Sequence, residues 1–158
     1  MTGSGIEGLN LGGLTAQPES ATKPKVEQGV RPMRAPAAPD KQGWWSGTGR
    51  RKTAVARVRI RPGNGDFKIK VSANKSKTIE EYFTELRDRS DAVAPLKATN
   101  TFGKIDVIAR VDGGGYMGQA QAIRLGIARA LRGYDPTLEG ALRDEGLLTR
   151  DSREVERK

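Results

Sequence analysis

The sequence predicts an α+β fold: a single two-layer domain in which a small mixed sheet packs on helices. Three observations carry that prediction. Residues 54–60 and 67–71 alternate apolar with basic side chains at a period of two, the signature of half-buried strands. Lys104 to Val111 alternates again, with Ile105, Val107, Ala109 and Val111 on one face. From Met117 onward the apolar spacing becomes helical, and no apolar β-run follows residue 111. Such a mixture of strands and helices around one core belongs to the α+β class.

Residues 1–43 hold five basic and four acidic side chains among Gly, Ala, Pro, Thr and Ser, with few large apolar residues and no period. Such a segment buries too little surface to offset its ordering entropy, so a disordered extension is expected. Trp44 and Trp45 open a globular part expected to span residues 44–146. They either pack on the sheet edge or offer bases a stacking surface. In the first alternating run Ala54, Ala56, Val58 and Ile60 point inward, and Arg57, Arg59 and Arg61 point outward. Pro62 to Asp66 reads as a turn. Phe67, Ile69 and Val71 then face inward, with Lys68 and Lys70 outside. The two strands are expected to form a hairpin with an almost wholly cationic solvent face. Like charges facing each other across strands are destabilising, and phosphate would remove that cost.

Thr78-Ile79-Glu80-Glu81 has the form of a capping box. It should start one helix that buries Ile79, Tyr82, Phe83 and Leu86. Arg87, Asp88 and Arg89 fall on its solvated face, and Pro95 should limit the next helical segment. A helix from Met117 to Gly133 buries Ala120, Ile123, Ile127, Ala130 and Leu131. It leaves Gln121, Arg129 and Arg132 away from that set and Arg124 at its flank. Asp135-Pro136 opens the last helix and Gly146 closes it. Residues 147–158 are expected to be an extended segment, the start of a basic tail, with Ser152 to Lys158 mobile until it lies along RNA. Arg150, Arg153, Arg157 and Lys158 are its cations.

The 158 residues include 28 basic and 19 acidic side chains, a net charge of +9 that favours a polyanionic partner. The excess is local. Residues 44–71 hold eight cations (Arg50, Arg51, Lys52, Arg57, Arg59, Arg61, Lys68, Lys70) against one acid, Asp66. Residues 113–132 hold three, Arg124, Arg129 and Arg132, against none. The second block begins with Gly113-Gly114-Gly115, where backbone amides at a helix N-terminus can receive an anion. Gln119 and Gln121 are suited to hydrogen bonding rather than catalysis. The expected ligand is a phosphate array, that of RNA.

The chain has no histidine and no cysteine, which removes imidazole catalysis, thiol nucleophiles, disulfides and the usual zinc sites. A non-enzyme without metal or cofactor is expected. Gly113, Gly115 and Gly118 do spell the dinucleotide fingerprint G-x-G-x-x-G. That fingerprint requires a second parallel strand after the helix, and here Asp135-Pro136 starts another helix instead. A nucleotide-dependent enzyme is the rival reading, and a DNA-binding regulator the third. The regulator would need a helix-turn-helix reader that is not evident, whereas A-form RNA is recognised through shape and phosphate. No apolar run approaches the ~20 residues of a membrane span, and no signal-type segment is visible, so cytoplasm is expected.

Residues 47–58, Gly47-Thr48-Gly49-Arg50-Arg51-Lys52-Thr53-Ala54-Val55-Ala56-Arg57-Val58, resemble the opening strand of the small-subunit ribosomal protein number nine family of bacteria and organelles. The stretch from Gly113 to Leu131 is similar to that family's signature, and Leu148 to Lys158 resembles its C-terminal approach. The resemblance covers roughly residues 47–158. It implies a structural constituent of the small ribosomal subunit, bound to ribosomal RNA in the subunit head beside neighbouring ribosomal proteins and near the peptidyl-tRNA site. It also implies a fold like the ribosomal S-five domain-two-like type, with a left-handed β-α-β crossover. Family members continue with many more basic residues where this sequence ends at Arg157-Lys158. Contact with peptidyl-site tRNA is therefore expected only from a longer tail, and a truncated chain is the favoured explanation.

Overall fold

The computed structural model describes residues 34–72 and 74–155. Five strands are seen among them: β1 (Trp45–Arg51), β2 (Ala54–Pro62), β3 (Phe67–Lys70), β4 (Ser76–Thr78) and β5 (Ile105–Asp112). The helices are α1 (Ile79–Tyr82), α2 (Leu86–Ala98), α3 (Tyr116–Tyr134) and α4 (Glu139–Asp144), with a 3-10 turn at Pro136–Leu138. The sheet runs β1-β2-β5-β3-β4; β3 and β5 are parallel and the other pairs antiparallel. Ala54, Ala56, Val58 and Ile60 of β2 are fully buried, as are Ala120, Ile123, Ile127, Ala130 and Leu131 of α3. Ile105, Val107, Ala109 and Ile69 join them in one core between sheet and helices. The architecture is α+β with a mixed sheet, as the alternation implies.

The topology differs from the expected hairpin. β2 and β3 are not neighbours: β5 lies between them, antiparallel to one and parallel to the other. The reason is burial. β5 puts Ile105, Val107 and Ala109 into the core and needs a partner along both edges, so the central position satisfies more of its backbone. Val71, expected inside, is half exposed beyond the end of β3. β1 had no apolar alternation to reveal it. Its inward positions are Gly47 and Gly49, and α3 lies directly on them. A Cβ on Gly47 would collide with the Gly126 carbonyl, and one on Gly49 with the Ala122 carbonyl.

The turn between β2 and β3 is organised from a distance by Asp106 of β5. Its Oδ1 accepts the backbone N–H groups of Asn64 at 2.9 Å, Gly65 at 3.1 Å and Asp66 at 3.1 Å, while Oδ2 pairs with Arg61 at 3.3 Å. Burial alone would raise this carboxyl; the donors from Asp66, Asn64, Arg61 and Gly65 outweigh it and hold the pKa below the ordinary value.

The capping box forms as expected: the Thr78 hydroxyl accepts the Glu81 N–H, and Glu81 accepts the Thr78 N–H. The helix it starts stops after one turn. Phe83 turns extended with φ −100°, and Leu86, expected inside, is 76% exposed at the start of α2. Arg89 is not a solvated residue. Its Nε donates to the Phe83 carbonyl at 2.6 Å and its Nη2 to Glu80 and Thr84, satisfying carbonyls the short helix leaves open. Asp88 is likewise buried, at 4% exposure, with Oδ1 unpartnered among the described residues; burial, with Glu85 and Asp91 adding, raises its pKa. Pro95 does not end the helical segment. It is fully buried within α2, and the Thr99 hydroxyl bonds its carbonyl at 2.8 Å near the helix end. No helix among the described residues is long and apolar enough to cross a membrane.

Candidate nucleic-acid interface

One face of the sheet packs on α3; the other is open, and the strand period places the basic residues there. Arg57 of β2 stands opposite Arg110 of β5, which stands opposite Lys70 of β3, so three cations cross three adjacent strands in one row. Arg59, Ile108 and Lys68 form the next row, and Arg61 lies beyond, opposite Asp106. Arg57, Arg59, Arg61, Lys68, Lys70 and Arg110 are all exposed. Arg110 also belongs to this face, where the alternation of residues 105–112 puts it, and adds a cation beyond those expected.

The face carries its own counter-ions, contrary to the nearly all-cationic expectation. Asp112 reaches Arg57 at 3.1 Å and Arg110 at 4.0 Å, and Asp66 reaches Lys68 at 3.1 Å. Asp106 and Asp112 arrive because β5, and not a second basic strand, adjoins β2. Arg59 and Lys70 make no hydrogen bond or ion pair with a described residue. Trp44 presents its ring to the Arg61 guanidinium at 4.6 Å, a cation–π contact. Trp45 packs edge-on against Tyr134, 4.9 Å between centroids, and its indole N–H donates to the Ala37 carbonyl at 2.8 Å. Both tryptophans thus have partners within the protein.

The β5–α3 loop holds Gly113 and Gly114 at φ +72° and +68°, the left-handed region that favours glycine. A Cβ on Gly113 would meet the Thr53 carbonyl at 2.9 Å, and one on Gly114 the Ala54 Cβ at 2.9 Å. The fold itself therefore demands these two glycines. Gly115, the residue before α3, has an ordinary φ of −92° and open space where a Cβ would stand. Gln119 braces the loop: its Nε2 donates to the Gly113 carbonyl at 3.0 Å while its Oε1 accepts the Tyr82 hydroxyl at 2.7 Å. No described strand follows α3, so the second strand a dinucleotide fold requires is not seen there.

The remaining expected residues gather along the β1 edge. Arg51 is 6% exposed, and its guanidinium is used internally. Nε donates to Gln121 Oε1 at 2.7 Å, Nη1 to the Arg153 carbonyl at 2.6 Å, and Nη2 pairs with Asp151 at 3.1 Å. Arg51 and Gln121 therefore fasten residues 151–153 to the domain, although the chain from Ser152 onward was expected to be mobile. Arg153 returns to Asp151 at 2.8 Å, and this side-chain bond, with the Arg153 backbone N–H, depresses the Asp151 pKa strongly. Arg50 and Arg150 are exposed; Lys52 sits in the β1–β2 turn at φ +52°. Arg124 reaches Asp91 at 3.8 Å, Arg129 donates to the Thr48 carbonyl at 2.7 Å, and Arg132 is half-buried in the last turn of α3. Arg157 and Lys158 lie outside the described residues. The basic residues thus fall into two groups, on the open sheet face and around the β1 edge.

The pattern of the family described as Ribosomal protein S9/S16 matches residues 49–158. Among relatives, the small ribosomal subunit protein uS9 of Thermotoga neapolitana is 54% identical over 112 residues, which cover 71% of this chain and 82% of the relative. That of Thermotoga maritima matches with the same identity and coverage. The matched span contains β2 to β5, all the described helices and both groups of basic residues. With its domain so covered, the chain belongs to the ribosomal protein S9/S16 family, as a structural, non-enzymatic protein of the small subunit with a role in translation on the cytoplasmic ribosome.

Proposed function

We propose that this protein binds ribosomal RNA in the head of the small subunit, near the peptidyl-tRNA site, and contacts neighbouring ribosomal proteins there. The observation that carries RNA binding is the Arg57–Arg110–Lys70 row on the open face. Three like charges on adjacent strands repel one another, and among the described residues only Asp112 pairs with two of them. Phosphates along an RNA backbone neutralise such a row and release counter-ions, which rewards binding at low salt. The head location rests on the family resemblance of Gly113 to Leu131. The expected contact residues are Arg57, Arg59, Arg61, Lys68, Lys70 and Arg110, with Arg50, Lys52, Arg124, Arg129, Arg132, Arg150 and Arg153 at the β1 edge.

The test is filter binding to a transcript of small-subunit ribosomal RNA across a salt series. Replacing Arg57, Arg110 and Lys70 together by Gln should lower affinity and make the slope of log K against log salt shallower by about 2–3, at roughly 0.7–0.9 per lost phosphate contact. An unchanged slope in a correctly folded variant would remove the open face from the interface.

A further inference from the structure

We propose that the cleft beside β1 is a seat for a single phosphate group, separate from the open sheet face. The inference rests on the RNA-binding reading above and names how the second group of basic residues acts. The cleft has a volume of about 410 Å³, within the usual range of ligand sites, and lies among the end of β1, the start of α2, the first half of α3 and residues 147–153. Arg50, Arg51, Arg87, Arg124 and Arg153 line it, with Asp151 as the lining carboxylate among the described residues. Arg87, assigned to a solvated helix face in the sequence, thus joins four arginines from other parts of the chain.

Among the described residues the lining of the cleft holds five arginines and one carboxylate. Asp151 is shared by Arg51 and Arg153. Arg124 has Asp91 only at 3.8 Å, and Arg50 and Arg87 make no hydrogen bond or ion pair with a described residue. Concave surfaces of one sign with low-dielectric walls concentrate potential. Guanidinium forks match the oxygens of a phosphate two at a time. Asp151 already shows an oxyanion held by two of the five. The back wall is fixed, since buried Arg51 bonds Gln121 on α3 and the Arg153 carbonyl. An RNA strand on the sheet face reaches the cleft by turning round β1, where Arg50 stands at the edge.

A single seat has a distinctive signature. Arginines that converge on one phosphate are not independent, so removing either loses the same contact and removing both loses no more. The experiment measures binding of the full chain to a small-subunit ribosomal RNA transcript over a salt series, for Arg87→Gln, Arg124→Gln and the double variant. Each single replacement should make the slope shallower by about 0.7–0.9, and the double by no more than that. An additive change would overturn the single seat and make the residues separate surface contacts. No change in any variant, together with no response to phosphate in the second arm, would overturn the proposal outright.

That second arm titrates inorganic phosphate while following the arginine side-chain N–H signals by NMR. Saturable shifts at Arg87 and Arg124, the Arg87 shift weakened in Arg124→Gln and the Arg124 shift weakened in Arg87→Gln, support the seat. Saturation by phosphate with unaltered RNA slopes would assign the cleft to the free ion instead of RNA. If the sheet-face variant changes the slope and the cleft variants respond in neither arm, this inference alone fails. If neither surface responds, the RNA-binding reading fails with it. Circular dichroism of each variant checks that the fold persists.

Discussion

Replacing Asp106 by Ala should destabilise the domain by about 3–4 kcal/mol, because one carboxylate organises the β2–β3 turn. Three backbone N–H groups point at Oδ1, and a net value of about 1 kcal/mol per bond gives about 3 kcal/mol. The Arg61 pair has an exposed guanidinium and adds at most about 1 kcal/mol. Asp106→Asn keeps a carbonyl acceptor while losing the charge, so about 1–2 kcal/mol is expected. Urea unfolding should show the midpoint fall with an unchanged m-value. The pH dependence tests the cause separately. Because the folded-state pKa of Asp106 lies below the ordinary 3.8, its stabilisation is fully present above that value. It is lost as pH falls through the lower folded value. The gap between wild type and Asp106→Asn should therefore close below about pH 3.8 and stay constant above pH 5. A loss under 1 kcal/mol for Asp106→Ala, or a gap independent of pH, would refute the carboxylate as organiser of the turn.

Gly49→Ala should cost more than about 4 kcal/mol or prevent folding, since its Cβ collides with the backbone of α3, which cannot yield like a side chain; thermal unfolding measures this. In the β5–α3 loop, Gly114→Ala should lose about 1–2 kcal/mol for its φ of +68°, plus the cost of the Ala54 contact. Gly115→Ala should remain within about 0.5 kcal/mol of wild type, so any fall in its RNA affinity reports direct approach of the ligand. Asp112→Asn removes the carboxylate between Arg57 and Arg110: stability should fall by less than about 1 kcal/mol, and RNA affinity at low salt should rise.

The parts of the fold legible in the sequence are those that obey a local period. β2, β3 and β5 each bury every second residue, and α3 buries a stripe, so Ala54 to Ile60, Ile69 and Ile123 to Leu131 could be placed from spacing alone. β1 was hidden because its inward positions are glycines whose role is to let α3 approach, which leaves no hydrophobic trace. The break at Phe83 was hidden because Ile79, Tyr82, Phe83 and Leu86 fit a helix equally well on paper. Strand order depends on pairing between distant residues and has no local signal, so β5 and its acids were missing from the expected cationic face. The same limit applied to the candidate site. Arg57, Arg59 and Lys68 declare their exposure by alternation, whereas the inward turn of Arg51 depends on residues 70 and 102 positions away.

Those separations bear on how the chain closes during synthesis. β1 is the first of the described strands to leave the ribosome that makes it, and β2 can pair with it almost at once. Its inner face then waits for α3, and Arg51 waits longer still, for Gln121 and finally the carbonyl of Arg153. Contacts between such distant residues are slow to reward the loop closure they require. Until the last of them is made, the glycine-lined strand and the alanine-rich side of β2 have only water or a chaperone to cover them. Of the described strands the one made earliest is finished last, and the domain acquires its full set of contacts only after nearly the whole described sequence has emerged.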